Sequence, residues 1–486
     1  MKRNKIIFLI LIASILAASL FLRLYMLDWE TYGYGEVEIK EAAESYAKGN
    51  FVDNFYIFDT PPLSKYLFAA AAISGTSETG LRIVPLIFGM LTILATFLFA
   101  RKLYGFNVGI LSSALTGFSI LSIQLSRYAQ LETMLSFFFV AIAYFLWELL
   151  HENKKYTFLF LGASIGLAFA TKFTSFIFLI AVLACAVYSR DIKASIRPNF
   201  ALNINNKILK TIILAAIIFL AAWPFGFARL HTEANISVDY GTEVRTQQVN
   251  ADIPIMLLSF SRRVFTSVGD SVEGMLSVPV LNYFLLYIVK ESLLLIPLIA
   301  AGIYFIIRKP LKPDAMILIF LATFFVLLSF QRTSISYRHV VPAVPFLSIV
   351  ASRWVVHAKR QWVLIAAISA ILFAQAWLAA PSYALYFNPL KDTLGIPDSE
   401  FRFNEGMKET IAYLKGNCSK TYASDYYRVL AEPYYDQIYS TPPAQCVVKG
   451  NINDRFDVDT YIRDNNCGLS KTISKNSVKL IEIYKC

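Results

Sequence analysis

Apolar runs long enough to cross a bilayer recur along this chain, and short basic clusters separate them. That alternation restricts the fold more than any motif does, because a bilayer accepts only helices or closed barrels. The first run, Ile6 to about Leu22, follows Met-Lys-Arg-Asn-Lys. It is too long for a signal-peptide core and reads as a retained first helix. Further runs cover roughly 83–100, 107–124, 133–150, 157–171, 173–189, 208–225, 281–306, 314–330, 340–356 and 362–380. The expectation is an α-helical polytopic membrane protein with about eleven spans. Composition agrees: hydrophobic residues make up 56% of the 486 positions and charged residues 16%, too apolar for a soluble enzyme of this size.

The loop charges test this layout. Arg101-Lys102, Lys154-Lys155, the basic residues of 190–210, Arg308-Lys309 with Lys312, and Lys359-Arg360 all fall on the side of the N-terminus. By the positive-inside bias that side is the cytoplasm. The net charge of +11 is spread over these clusters and not gathered on one basic domain, which argues against a nucleic-acid partner. The outer side receives loops 28–82 and 226–280 and the polar, Tyr-rich tail 381–486. Residues 1–380 thus form a membrane domain and 381–486 a soluble extracytoplasmic one. The tail holds Cys418, Cys446, Cys467 and Cys486, an even number that suggests two disulfides with three pairings open. Cys185, inside a span, is a packing residue. Helical patterns at 404–415 and 456–464 and strand-like runs at 420–424, 445–448 and 478–484 suggest a small α/β fold there.

The outer side also collects charge. In the stretch from Gly35 to Phe68, Ile39, Ala42, Ala43 and Tyr46 recur at helical spacing, with Glu38, Glu41, Ser45 and Lys48 on another face. This predicts an amphipathic helix lying on the outer surface. Glu36 stands at its start, where the helix dipole favours an ionised carboxylate and hence a candidate general base; ordinary first-turn stabilisation is the plain alternative. Asp59 and Lys65 follow around a Pro-Pro turn. Arg127 and Glu132 occupy a short outer turn in SRYAQLETML, Lys172 a tight turn in GLAFATKF, and Arg338-His339 the start of a span. Each alone is explained by pairing or snorkelling. Together they put Glu36, Glu132 and Asp59 as candidate catalytic carboxylates beside Lys65, Arg127, Lys172, Arg338, His339 and Glu38 as candidate substrate-binding groups. Cations at headgroup level suit a lipid phosphate, and a carboxylate suits deprotonation of a nucleophile. No metal is required for phosphate departure there, although Glu36 and Glu132 leave a divalent ion open. No Gly-rich nucleotide loop or zinc spacing is present.

YGEVEIKEAAESYAKGNF…FYIFDTPPLSKYLF resembles the first outer loop of the protein O-mannosyltransferase and aminoarabinose transferase group, glycosyltransferase family 39 and its relatives in the GT-C superfamily. SRYAQLETML, GLAFATKF, RHVVPAVPFL and YFNPL resemble further segments of that group, in the same order and on one membrane side. The resemblance implies an inverting glycosyl transfer from a polyprenyl (dolichyl or undecaprenyl) phosphate donor to a protein, lipid or glycan acceptor. The family's catalytic Asp falls on Gly35 here, its His on Thr60 and its second Asp on Glu132. The competing readings are an oligosaccharyltransferase, whose Trp-Trp-Asp signature is absent, a transporter of lipid-linked sugars, and an inactive glycan-binding homologue.

Overall fold

A computed structural model describes residues 2–51, 60–73, 75, 77–152, 154–194, 198–227, 229–239, 244–254, 279–329, 337–396, 405–423, 427, 431, 433–439, 444–450, 458–475 and 478–486. The apolar half is a helical bundle: α1 (Lys2–Leu24), α2 (Tyr34–Ala47), α3 (Leu63–Ala72), α4 (Glu78–Tyr104), α5 (Phe106–Phe118), α6 (Ile120–Leu125), α7 (Glu132–His151), α8 (Thr157–Thr171), α9 (Phe176–Ala194) and α10 (Pro198–Ala222). After a two-stranded antiparallel hairpin, β1 (Arg229–Asp239) and β2 (Val244–Pro254), come the helices Pro279–Lys290, Leu295–Arg308, Lys312–Ser329, Val344–Ser352 and Gln361–Ala379. Among the described residues five helical segments are long and apolar enough to cross a membrane: Glu78–Tyr104, Glu132–His151, Lys312–Ser329, Tyr337–His357 and Gln361–Ala379. Others, such as Phe106–Phe118 and Leu295–Arg308, are apolar but shorter. The count of about eleven full spans is not reached by this measure.

Two of the expected spans are broken, and the breaks satisfy each other. The run 107–124 divides at Ser119, whose hydroxyl caps α6 by accepting from the Ser122 amide at 3.0 Å. The run 281–306 divides after Lys290, and the buried Glu291 carboxylate accepts from the Ile120 and Leu121 amides at 3.2 and 3.3 Å and from the Ser119 hydroxyl. The matching carbonyls are met by the YFNPL segment. Asn388 Nδ2 donates to the carbonyls of Ile288 (2.7 Å) and Glu291 (2.8 Å), and its amide donates to Val289 at 2.9 Å. Exposed backbone ends inside a bilayer would cost several kcal/mol each, so broken helices survive only with such partners.

Close helix approach relies on small residues. A Cβ at Gly302 would lie 1.8 Å from the Val350 carbonyl oxygen, and one at Gly166 2.7 Å from that of Ala215. Phe139 fills the space between helices, stacked on Phe178 at 4.3 Å and tilted against Phe346 at 4.5 Å. Outward positions are apolar too: Leu378 is 81% exposed and Ile307 71%, as a lipid-facing surface requires.

Charges close the bundle at two ends. At one, Lys102 and Lys154 bind Glu148 and Glu152, while Arg353 Nε and the Tyr104 hydroxyl bind Asp314 Oδ1 at 3.0 and 2.7 Å. The basic residues at 102, 154 and 309 therefore share an end, since Arg353 also reaches the Lys309 carbonyl at 2.8 Å.

Residues beyond 405 carry a helix (Met407–Asn417) and a five-stranded mixed sheet of β3 (Thr421–Ala423), β4 (Ile438–Tyr439), β5 (Cys446–Gly450), β6 (Gly468–Lys475) and β7 (Val478–Lys485), in the order β4-β3-β5-β7-β6. Disulfides join Cys418 to Cys446 and Cys467 to Cys486; Cys185 is free and buried. One buried carboxylate docks this segment on the bundle. Glu30 accepts from the amides of Gly406 (3.1 Å) and Lys408 (3.2 Å), at the start of the Met407–Asn417 helix, and from Lys475 Nζ at 2.6 Å. The backbone amide of Tyr32 adds a bond to the Tyr434 hydroxyl at 3.1 Å. Removing one partner of such a buried pair costs about 3–5 kcal/mol. Glu30→Ala is therefore expected to loosen the C-terminal segment, measured as protease cleavage after residue 396 at a temperature where the wild type resists. Equal resistance would show that Glu30 does not hold the segment.

Candidate active site at the opposite end of the bundle

The helix expected at the outer surface is α2. Its apolar stripe is buried: Ile39, Ala42, Ala43 and Tyr46 are all under 7% exposed, while Glu41 is exposed and Glu38 half-buried. Glu36 does open the helix, but its environment corrects the expectation of a surface carboxylate. It is fully buried, and Arg82 grips it bidentately, with Nε 2.9 Å from Oε1 and Nη2 2.9 Å from Oε2. The Gly33 amide donates to Oε2 and the Ala129 amide to Oε1, each at 2.7 Å. Both oxygens are engaged twice, leaving no lone pair for a substrate proton. Arg82 also donates to the carbonyls of Leu27, Glu30 and Thr31 at 2.9–3.0 Å.

The remaining candidates divide into braces and open groups. Arg127 is a brace: its guanidinium donates to the carbonyls of Leu22 (3.2 Å) and Met26 (2.7 Å) and lies over the Tyr383 ring. It does not pair with Glu132. Glu132 instead accepts from Lys172 Nζ at 3.1 Å through Oε1, and its buried Oε2 has no partner among the described residues. Arg338 and His339, both half-buried, are near enough to act electrostatically on Glu132. Arg338 Nε is likewise without a hydrogen-bond partner among the described residues. Lys65 is buried in α3, 5.5 Å from the centroid of the Tyr46 ring. Thr60, in the place of the family's His, is buried. Asp59 lies outside the described residues. Among those described, no three metal-ligating side chains gather, and Glu36 and Glu132 each hold a cation of the protein.

Three participants escaped the sequence reading. Arg82 had a usable signal, a charge at the edge of an apolar run. Tyr128 and Glu405 had none. Tyr128 packs on Gly33, under the Arg82 guanidinium, and its hydroxyl donates to Glu405 Oε1 at 3.3 Å. Glu405 Oε2 has no partner among the described residues. Gly35 has a neighbour of its own: a Cβ there would lie 2.6 Å from Gln130 Nε2. The amide thus occupies the room a larger residue would need.

These contacts make two outcomes measurable. Arg82→Met leaves Glu36 buried and unpaired, so it should destabilise the protein by about 3–5 kcal/mol, read as a fall in melting temperature; Glu36→Gln with Arg82→Met should recover part of it. Burial pushes the Glu405 carboxyl up to about 7, against the pull of its own backbone amide and with a push from Glu30. The folded chain therefore keeps a proton that the unfolded chain has released. The resulting stabilisation is complete below the ordinary carboxylate pKa and is lost as pH rises through about 7. Between pH 5.5 and 8 the wild-type melting temperature should fall more steeply than that of Glu405→Gln; parallel curves would contradict this.

Comparison with known proteins bears on the fold. Residues 59–225 match the dolichyl-phosphate-mannose-protein mannosyltransferase family. The fold is similar to ArnT from Cupriavidus metallidurans, at 14% identity and TM-score 0.57 with undecaprenyl phosphate bound, covering 97% of both chains. The apo form of ArnT gives 15% and 0.58, covering 99% of this chain and 98% of that one. The Archaeoglobus fulgidus oligosaccharyltransferase aligns at 14% and 0.50, over 89% of this chain and 64% of its own. No curated protein matches the sequence. The chain shares the fold of ArnT along nearly its whole length, and its residues 59–225 match the dolichyl-phosphate-mannose-protein mannosyltransferase family.

Proposed function

We propose that this protein is an integral membrane glycosyltransferase that moves a sugar from a polyprenyl phosphate to a protein, lipid or glycan acceptor, with inversion, on the extracytoplasmic side. The observation that carries the reading is the Glu132–Lys172 pair with Arg338 beside it. Among the described residues a buried carboxylate oxygen of Glu132 and a guanidinium nitrogen of Arg338 stand open at the end of the bundle opposite the Lys102 and Asp314 networks. The ArnT neighbour holds undecaprenyl phosphate.

In this reading Lys65, Lys172 and Arg338 face the lipid phosphate, and His339 and Glu38 border it. The acceptor hydroxyl or amine attacks the anomeric carbon, and the bond from that carbon to the phosphate oxygen breaks on the opposite face. The bonding pair stays with the phosphate, and the cations stabilise the charge that develops there. Lysine and arginine supply positive charge directly, so the reading requires no metal. Glu36 acts as a brace, holding the Ala129 turn that leads into Glu132. The N-terminus and the Lys102 end lie in the cytoplasm, and the C-terminal segment outside.

The test is transfer of tritiated sugar from polyprenyl phosphate in membranes. Wild type should form a labelled glycoside, Glu132→Gln should reduce the rate about 100-fold by releasing Lys172 from its place beside the phosphate, and EDTA should leave it within about twofold. Label that crosses the bilayer without a new glycosidic bond would mark a transporter and overturn the proposal. Cysteines placed at Lys154 and at Lys415 should react with an impermeant maleimide from opposite faces of the membrane; labelling from one face would refute the topology.

A further inference from the structure

A small cavity lies where the C-terminal segment meets the bundle. Its volume is about 20 Å³, and Trp29, Arg82, Gln124, Arg127, Tyr128 and Glu405 line it. That is room for one water or one hydroxyl. Three buried polar atoms of its wall have no partner among the described residues: Glu405 Oε2, Gln124 Oε1 and Trp29 Nε1. Two accept and one donates. Buried polar groups in folded proteins are paired, so three open ones on one cavity mark a place built for a guest. A hydroxyl satisfies two of the three at once, giving its one proton to the carboxylate and accepting from the indole N–H, while Gln124 Oε1 borders it without a bond.

The cations on this wall are already committed. Arg82 is held by Glu36 and three carbonyls, and Arg127 by the carbonyls of Leu22 and Met26. The open groups therefore suit a neutral hydroxyl and not a phosphate. The other carboxylates fit the proton-accepting role poorly. Glu36 has no free lone pair, Gly35 has no side chain, and Glu132 is compensated by Lys172. Glu405 is 2% exposed; one oxygen is open among the described residues, and the other receives the Tyr128 phenol at 3.3 Å.

We propose that Glu405, carried by the C-terminal segment, takes the proton of the acceptor's attacking hydroxyl, which sits in this cavity against Gln124 and Trp29. The inference rests on the glycosyl-transfer reading above. As the hydroxyl oxygen bonds to the anomeric carbon, its proton passes to Glu405 Oε2, and the anomeric C–O bond breaks with its electron pair on the lipid phosphate. The carboxyl then returns the proton to water. Burial holds this carboxyl up to about 7, so it is ionised enough to accept a proton at neutral pH and basic enough to keep it. The groups facing it are Tyr128 and Tyr337 from the bundle, Lys290 from the helix Pro279–Lys290, and Glu30 from the outer loop.

The experiment uses the full chain in membranes with tritiated mannosyl- and aminoarabinosyl-undecaprenyl phosphate. Wild type should show an acidic limb in kcat near pH 7. Glu405→Gln should lose at least ~100-fold in kcat with little change in KM. Glu405→Asp should keep part of the activity and shift the limb. Glu405→Gln that raises KM and spares kcat would make the cavity a binding contact alone and overturn the proposal. Undiminished transfer would reduce its guest to an ordered water and overturn the proposal as well. If Glu405→Gln does not fold, an unmoved limb in Glu405→Asp overturns the proposal instead. Wild type without transfer from either donor would fail the glycosyl-transfer reading itself, and this inference with it.

Discussion

The bond between Arg82 and Glu36 fixes the geometry of this end of the molecule. A carboxylate removed from water carries a desolvation penalty of several kcal/mol, so it must be saturated with donors. Glu36 meets that demand with two guanidinium bonds and two backbone amides, drawn from α4, the start of α2 and the 126–131 turn. Arg82 meets its own with carbonyls of the 27–31 loop. The consequences run outward from there. Clamping Ala129 sets where Tyr128 and Glu132 stand, and clamping the Glu30 carbonyl sets where its side chain meets Gly406, Lys408 and Lys475. The position of the C-terminal segment, and of Glu405 within it, depends on a salt bridge buried in the bundle.

A second constraint comes from the breaks at Ser119 and Glu291. Each creates helix ends in an apolar bundle, and each is tolerable because the other lies beside it. Glu291 supplies the acceptor for the amides of α6, and Asn388 supplies donors to the carbonyls of Ile288 and Glu291. Lys290 is turned onto the carbonyls of Tyr383, Ala384 and Tyr386, at 2.6–3.3 Å. The segment 383–388 is thereby drawn down against the bundle, beside the cavity that Glu405 closes. YFNPL thus has a physical task, which its resemblance to a family segment did not disclose.

Much of this was legible in the chain. Apolar runs located the helices, because burial in lipid or in other helices demands continuous hydrophobicity over many turns. The stripe Ile39, Ala42, Ala43, Tyr46 located α2 and its buried face. The side of the charge clusters was also readable, since a charge settles at an interface. What a charge does there was not readable. Glu36, a candidate base in sequence, and Arg127, a candidate phosphate ligand, are interior braces in the fold; Glu132 and Lys172, candidates in separate turns, are a pair. Local sequence gives a side chain its depth, whereas its partner comes from another helix far along the chain.

The sequence by itself determined a helical membrane bundle, an ionisable end on one side of it, and a tail rich enough in cysteine for two cross-links. Those properties follow from hydrophobic length, charge asymmetry and residue type, all of which are additive along a chain. Tertiary structure decided which carboxylates keep an open oxygen. Among the described residues Glu132 and Glu405 do, and Glu36 does not. That distinction depends on how many donors converge on each group, and convergence is a property of packing between segments that are remote in the chain.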